Sequence, residues 1–377
     1  MPEDSLKPIG LNRERLSAMM KARDLDAIFL SSPENVFYTT GYPTLPSSGN
    51  PIVYALRNQL PFFAFIGKDM QVSLLAWGGA AMGIDYEVED VRLFFTYDMS
   101  VDILRELIQE KLAPGSRVGV ESTFPYYGIK MIQEQTGGAS PEIVDDIFGR
   151  LRLIKSAAEI ERIRQSTYII DRTLMELLPA LHLGMSRLEL IREAKYRLMK
   201  NGAGGVDHVT VAFGAANPEV ALGELLEENQ IVTLDLGAAY EGYVSDNRRL
   251  VYTGAVPEEL RALHQKLCHV VDAMGKSLVP GKTFAELHTH AYELYAEAGL
   301  EPMFMHVGHS VGLQVDERWI LGEDETTIEP GMVLNIELYS PSEEGVMIGD
   351  EETFVVTENG PEKVGQLPAD IIERRLA

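Results

Sequence analysis

Residues 234–250 read LDLGAAYEGYVSDNRRL, and they place two aspartates on either side of one short turn. Asp235 and Asp246 each lie in a β-prone run, so the segment predicts a β-hairpin. Directly opposed residues of an antiparallel pair share a constant sum of their numbers and point to the same face of the sheet. A two-residue turn at Tyr240–Glu241 gives the two aspartates the same sum as the turn residues. The hairpin is therefore expected to hold the carboxylates about 5 Å apart, where they repel each other unless a cation or a proton lies between them.

A second stretch repeats this arrangement of acids. In VLNIELYSPSEEGVMIGDEETFVV (333–356), Glu337 lies on one predicted strand and Glu351 can face it from the next. MFMHVGHSVGLQVDE (303–317) carries His306 and His309 among small residues. A single strand carboxylate is usually a solvated charge, but Asp235 lies in the run IVTLDLG, where an unpaired charge is costly to bury. Carboxylates that converge with an imidazole suit a site for two divalent ions of Mn, Fe, Co or Zn.

The two acid pairs lie in segments that resemble each other. GMSRLEL (184–190) matches GKTFAEL (281–287), and IVTLDL (231–236) matches MVLNIEL (332–338). Each match follows predicted helices, so the pattern indicates two helices and a β-hairpin used twice. Two copies facing each other across a pseudo-two-fold axis would bring both hairpins to the centre of an α+β domain.

The first 150 residues have a different character. Amphipathic helices alternate there with short apolar strands such as DAIFLSS and QVSLLAW, which predicts an α/β domain. No G-x-G-x-x-G follows a strand, so a dinucleotide-binding fold has no support. We expect an α/β N-terminal domain at residues 1–150 and the duplicated α+β domain at 151–377.

Composition restricts the classes of partner. The 377-residue chain has a formal net charge of −24, which argues against nucleic acid or an anionic membrane as a partner. Its single cysteine, Cys268, excludes an intrachain disulfide and a multi-cysteine metal site. The start of the chain lacks a basic segment followed by an apolar one, and no apolar run approaches 18 residues. These features lead us to expect a cytoplasmic protein.

Four segments in order, DLGAAYEGYVSDNRR, HVGHSVGL, GMVLNIE and DEETFVVTENG, resemble the aminopeptidase P, prolidase and creatinase family. The resemblance covers about residues 155–377 and implies the duplicated "pita-bread" fold; LDAIFLSSPENVFYTTGY also resembles the family's N-terminal domain. It implies two divalent metal ions and a homodimer, with cleavage of Xaa-Pro bonds in short peptides. The metal ligands implied by the resemblance are Asp235, Asp246, His309, Glu337 and Glu351. Glu337 would also take a proton from the attacking water, His306 would stabilise the oxyanion, and Tyr243 and Arg249 would support the site.

The chain also departs from the family's pattern. Residues 209–234 lack the histidine that family peptidases usually carry in the loop before the first aspartate. His208 could supply an imidazole instead, although its place at the start of HVTVAFG favours a structural role. Asp316–Glu317 replaces a common His–Glu pair, which makes Asp316 a candidate substrate contact. Met347 stands in the region where an arginine is common before the last ligand.

These departures leave alternative functions open. A creatinase-like hydrolase or lyase acting on a small non-peptide metabolite is the second hypothesis. A non-catalytic binding protein on the same fold is the third, which five intact ligands disfavour. In the N-terminal domain, Tyr54 and Arg57 pair an aromatic ring with a cation suited to a carboxylate or a zwitterionic substrate. The competing interpretation of these two residues is a surface loop with one buried tyrosine.

Overall fold

A computed structural model describes residues 8–221 and 223–376 of the chain. The chain divides into two compact units, of which the first ends at Arg152 and the second begins at Leu153. The sequence predicts this boundary between residues 150 and 151. The expectation about the start of the chain depends in part on residues 1–7, which lie outside the described ranges.

The N-terminal unit is built on one six-stranded sheet with the order β4-β3-β2-β1-β5-β6. Its strands are β1 (Ala27–Leu30), β2 (Phe63–Gly67), β3 (Val72–Trp77), β4 (Asp90–Phe94), β5 (Val118–Val120) and β6 (Glu142–Ile143). Its helices are α1 (Arg13–Ala22), α2 (Pro33–Thr40), α3 (Ile52–Ala55), α4 (Gly78–Ala81), α5 (Tyr97–Lys111), α6 (Tyr126–Thr136) and α7 (Asp145–Leu153), the last ending across the boundary. Parallel pairing of β1 with β5 and of β3 with β4 confirms the predicted α/β class.

The C-terminal unit contains two sheets, each covered by its own helices. The helices are α8 (Ala157–Leu177), α9 (Arg187–Lys200), α10 (Glu258–Lys276) and α11 (Phe284–Ala298). The strands are β7 (Gly205–Phe213), β8 (Ile231–Tyr240), β9 (Tyr243–Tyr252), β10 (His309–Ser310), β11 (Arg318–Trp319), β12 (Val333–Pro341), β13 (Met347–Thr357), β14 (Gly360–Lys363) and β15 (Ile372–Glu373). The sheet orders are β15-β9-β8-β7 and β11-β10-β12-β13-β14. One apolar core joins α8 and α9 to the first sheet, and a second joins α10 and α11 to the other.

The two halves of this unit match in detail. Ser186 and Thr283 both cap the helix that follows, each accepting a hydrogen bond from the backbone N–H of the glutamate three residues on. Each cap residue also forms an isolated antiparallel bridge, Ser186 with Leu225 and Thr283 with Thr327. A helix start and a strand-like bridge recur together at the predicted spacing, as expected for a duplicated helix–helix–hairpin unit.

The first hairpin has a different register from the predicted one. Tyr240 pairs with Tyr243, so the turn residues are Glu241 and Gly242, with φ of 47° and 90°. A tight hairpin turn needs positive φ at both central positions, and glycine at the second position adopts it without strain. Asp235 therefore lies opposite Arg248, not opposite Asp246. The shift moves each partner by two residues, so both aspartates remain on the same face of the sheet.

The second hairpin keeps the predicted register, with Glu337 paired directly with Glu351. The two hairpins meet where β9 lies against β13. Thr353 donates a hydrogen bond to the carbonyl of Asp246, and Arg249 donates one to the carbonyl of Glu351. Within the described ranges, no helix has both the length and the apolar character needed to cross a bilayer.

Candidate metal and catalytic site

The five ligands implied by the family resemblance converge in the C-terminal unit. Ligand atoms of Asp246, His309 and Glu351 lie within 4.8 Å of one another, as do those of Asp235, Glu337 and Glu351. The exposed fraction of each of these residues is 9% or less. The four carboxylates, called the acidic cluster below, are Asp235, Asp246, Glu337 and Glu351. Such a concentration of buried acid requires positive charge close by.

His309 is oriented to offer one nitrogen to a cation. Its Nδ1 lies 2.9 Å from the carbonyl oxygen of Val315, which can only accept a hydrogen bond, so Nδ1 carries the proton. The free Nε2 then points toward Asp246 Oδ2 and Glu337 Oε2, each 3.9 Å away. A metal-binding histidine is commonly fixed by a hydrogen bond of this kind at its other nitrogen. Glu351 Oε2 is also buried and has no hydrogen-bond partner among the described residues, so these donors fit a divalent ion.

The acids of the cluster differ in how readily they ionise. Burial raises the pKa of Asp246 to about 6, and the neighbouring Asp235 carboxylate adds to the shift. Burial also raises the pKa of Glu351 well above its usual value, as do Asp246 and Asp235. For Asp235, burial opposes ionisation, but the guanidinium of Arg248 and the imidazole of His208 hold its pKa below the usual range. A divalent cation beside Asp246 and Glu351 would stabilise their charged forms.

The His208 imidazole contacts two carboxylates of the acidic cluster, a role beyond the strand position that the sequence favoured. Its Nε2 is 3.1 Å from Asp235 Oδ1 and 3.2 Å from Asp246 Oδ1. The ladder between β7 and β8 shifts register between Val206 and Val209, which places His208 beside Gly237. A β-carbon on Gly237 would lie 2.4 Å from His208 Nδ1, so this glycine leaves the space that the imidazole occupies. A purely structural role, which the sequence favoured for His208, therefore does not account for its contacts with the two predicted ligands Asp235 and Asp246.

Sequence reasoning missed Arg248. Its guanidinium forms ion pairs with Asp235 and with Glu337, where Nη2 lies 3.2 Å from Oε1, and its Nε lies 4.0 Å from Glu351 Oε2. The guanidinium carbon lies 4.4 Å from the centre of the Tyr339 ring, and the Tyr339 hydroxyl donates a hydrogen bond to Glu337. Arg248 lies on β9 of the first hairpin, and the predicted register, which differs by two residues from the observed one, paired Asp235 with Asp246 instead of Arg248.

The remaining predicted residues have diverse surroundings. His306 stacks on Phe304 and lies 4.3 Å from the ring of Trp319, a ring that also contacts His309. Burial lowers the pKa of His306, which favours the neutral imidazole. Asp316 Oδ1 lies 3.3 Å from His309 Nδ1, on the side away from the acidic cluster.

The two predicted supporting residues behave differently from each other. Arg249 is buried and binds the backbone oxygen of Glu351 and the carboxylate of Glu352, so it holds β13 in place. The Tyr243 hydroxyl donates a hydrogen bond to Glu159, so this tyrosine links α8 to the first hairpin.

In the N-terminal unit, the Arg57 guanidinium lies 3.9 Å over the Tyr54 ring and donates a hydrogen bond to the Tyr54 carbonyl. Substrate contact by Tyr54 and Arg57 stays a prediction.

Gly308 sets the position of His309. Its φ is 145°, and a β-carbon there would lie 2.1 Å from the backbone oxygen of Asn335, the residue that pairs with His309 on β12. We expect Gly308→Ala to lower the free energy of unfolding by about 2–6 kcal/mol, from backbone strain and forced displacement together. Urea unfolding measures this loss. Gly149→Ala, at an open helical position, should instead stabilise by about 0.5–1 kcal/mol, and an equal effect of the two substitutions would contradict the packing argument.

Comparison with known proteins identifies the family. A model of metallopeptidase family M24 matches residues 161–358, and a model of the creatinase/prolidase N-terminal domain matches residues 12–154. The chain belongs to metallopeptidase family M24. Membership in family M24 confirms the resemblance seen in the four segments and, with it, the pita-bread fold of the C-terminal unit.

Similar proteins cover nearly the whole chain. An Xaa-Pro dipeptidase of Pyrococcus furiosus is 28% identical over 374 residues, which span 96% of this chain and 100% of the relative. An Xaa-Pro dipeptidase of Pyrococcus horikoshii is 27% identical over 368 residues, 95% of this chain and 98% of the relative. The crystal structure of a prolidase from Pyrococcus horikoshii has a TM-score of 0.80 at 25% identity, covering 96% of this chain and 99% of that one.

Proposed function

We propose that this member of family M24 is a divalent-metal-dependent peptidase that hydrolyses the Xaa-Pro bond of dipeptides. The observation that carries the proposal is the convergence of His309 with the acidic cluster, in the arrangement that the family resemblance requires. Relatives named Xaa-Pro dipeptidases match the chain over nearly its full length, which supports this substrate class. The alternative, a creatinase-like hydrolase or lyase acting on a small metabolite, is not favoured by these relatives.

The residues of the site divide the chemical work. The acids and His309 would hold a divalent ion, which would supply the Lewis acidity needed to polarise the peptide carbonyl and lower the pKa of the attacking water. Glu337 accepts the proton that the water releases, because its Oε1 is fixed by Tyr339 and Arg248 while Oε2 faces His309. The nitrogen of an Xaa-Pro bond carries no hydrogen, so it must gain a proton to leave; Glu337 returns the proton to that atom.

His306 is proposed to donate a hydrogen bond to the oxygen that becomes negative as water adds to the carbonyl. Its Nδ1 is buried and has no hydrogen-bond partner among the described residues, and packing on Phe304 and Trp319 holds the ring. Since the neutral imidazole keeps one N–H, it can act as a donor without carrying charge.

We expect His306→Ala to lower kcat by about 10²–10³, the usual cost of one missing oxyanion donor. The amount of metal bound should not change, because His306 is not one of the proposed ligands. Steady-state kinetics and elemental analysis check both statements. His290→Ala, on the solvent-facing side of α11, is the matched control; a parallel loss of metal in His306→Ala would contradict the assigned role.

The finer features of the proposal come from the sequence. Manganese is among the proposed metals, with Co, Fe and Zn as alternatives, and we propose a homodimer located in the cytoplasm. Tyr54, Arg57 and Asp316 are proposed to contact the peptide. The family resemblance implies two metal ions per site.

A panel of dipeptides tests the proposed function. The chelator-treated protein is loaded with Mn²⁺ or Co²⁺ and incubated with Ala-Pro, Leu-Pro and Phe-Pro, with Ala-Ala and an Xaa-Pro tripeptide as comparison substrates. Chromatography should detect free proline from the dipeptides, and the rate should fall when the metal is removed. Tight metal binding without cleavage of any Xaa-Pro bond would overturn the proposal.

A further inference from the structure

The guanidinium of Arg248 is a positive charge that lies within the acidic cluster. It lies directly opposite Asp235 on β9 and two residues beyond Asp246, so all three side chains share one face of the first hairpin. Its terminal nitrogen Nη2 contacts carboxylates of both hairpins, Asp235 on β8 and Glu337 on β12. These contacts cross-link the two acid pairs in the way that a bridging cation would.

The surroundings of Arg248 are shaped to keep it there. Only 5% of its side chain is exposed, and the Tyr339 ring covers one face of the guanidinium. Opposite Tyr339 on the neighbouring strand stands Gly349, where a β-carbon would lie 2.6 Å from the Tyr339 ring and 3.0 Å from Arg248 Nη1. The glycine therefore leaves the space that the stacked ring and guanidinium occupy. Moving the guanidinium away would leave Asp235 and Glu337 buried without this partner, which is costly.

The five ligands implied by the family resemblance form two overlapping sets, and Arg248 contacts all three residues of one of them. The first set is Asp235, Glu337 and Glu351, and the second is Asp246, His309 and Glu351. Arg248 binds two members of the first set, and its Nε lies 4.0 Å from the third. A divalent ion in the first set would bind oxygens at about 2.0–2.2 Å, and it would share them with a guanidinium already in contact. Like charges at that separation in a buried site repel strongly.

We infer that the Arg248 guanidinium replaces one of the two metal ions, so that the site binds a single divalent ion through Asp246, His309 and Glu351. The second oxygen of Glu337 lies 3.9 Å from His309 Nε2 and would be available to the same ion. The inference rests on the proposed function only in that both require a divalent ion in the cluster. It differs from the two-ion arrangement implied by the family resemblance.

Metal stoichiometry tests the inference without any substrate. The full chain is stripped with a chelator, dialysed to equilibrium against excess Mn²⁺ and analysed for manganese. We expect one Mn²⁺ per chain, with the electron paramagnetic resonance spectrum of an isolated ion. Two ions per chain with a spin-coupled spectrum, or none, would overturn the inference.

Variants identify the group responsible. Arg248→Ser removes the guanidinium and frees the first ligand set, so this variant should bind two ions per chain; an unchanged single ion would overturn the assignment to Arg248. Arg162→Ser removes a guanidinium that pairs with exposed Glu241 on the same unit, and it should still bind one ion. Arg248→Lys keeps the positive charge and should also bind one ion. It remains informative if Arg248→Ser fails to fold, because a second ion in the lysine variant would contradict the inference.

The outcomes separate this inference from the proposed function. A protein that binds one Mn²⁺ and releases proline from Xaa-Pro dipeptides supports both. A protein that binds one Mn²⁺ but cleaves no Xaa-Pro bond supports the single-ion site and overturns the proposed substrate. A protein that binds two ions and cleaves the dipeptides supports the function and overturns the single-ion site.

Discussion

Replacing Asp246 with alanine is expected to abolish both metal binding and peptide hydrolysis. Asp246 lies between two histidines, with Oδ1 3.2 Å from His208 Nε2 and Oδ2 3.9 Å from His309 Nε2. Losing a neighbour of a metal ligand already costs about 10–100-fold in affinity, so loss of the ligand itself should exceed that range. A divalent ion contributes several kcal/mol of charge stabilisation, and with tenfold per about 1.4 kcal/mol the rate should fall at least about 10³-fold.

Elemental analysis and Xaa-Pro kinetics on the same preparation measure the two effects. Asp272→Ala is the matched control, because this exposed aspartate pairs only with Lys276 one turn further along α10 among the contacts described. The control should keep its metal and its activity. Retention of a full complement of metal by Asp246→Ala would remove Asp246 from the ligand set, and full activity without that metal would contradict a metal-dependent reaction.

The second large effect is expected from Arg249→Met, which should lower the free energy of unfolding by about 3–5 kcal/mol. Arg249 donates to Asn247 on its own strand, to the Glu351 carbonyl and the Glu352 carboxylate on β13, and to the Leu367 carbonyl. Its side chain is 1% exposed, so the partners it leaves behind remain buried. Glu352 keeps its ion pair with Lys363, so much of the loss comes from the buried oxygens that lose the Arg249 donor, those of Asn247, Glu351 and Leu367.

Urea unfolding followed by circular dichroism measures this loss. Arg162→Met, which breaks a partly exposed ion pair with Glu241, should cost about 0–1 kcal/mol. Equal losses from Arg249→Met and Arg162→Met would show that the buried network does not join the hairpins as described.

The duplication illustrates what local patterns can predict. Capping pairs, helical periodicity and strand composition depend on residues close together in the sequence, so the segments 184–190 and 281–287 gave the correct starts of α9 and α11. The structure adds matched antiparallel bridges at Ser186 and Thr283, whereas the sequence indicated the correspondence of these two positions only by their spacing. The position of the acids on the four central strands followed from the same alternation.

The surroundings of Asp235 illustrate what such patterns cannot predict. Whether the turn falls at Tyr240–Glu241 or at Glu241–Gly242 depends on which residues take positive φ, and a two-residue change replaces a carboxylate with a guanidinium as the opposite residue. The contact of His208 with the acids depends on a register shift in β7 and on the space above Gly237. Neither feature has a periodic signature.

The amino-acid sequence by itself predicted the two helix–helix–hairpin halves and the convergence of four carboxylates with an imidazole, and the resemblance to the M24 family then implied His309 as the fifth ligand. The sequence could do so because residue type, spacing and alternation are properties of single segments. Only the tertiary structure decided which charges neutralise the acidic cluster. Arg248 meets Glu337 from a strand 89 residues away, and the energy of a buried charge depends on every group that surrounds it in space rather than on its neighbours in the chain.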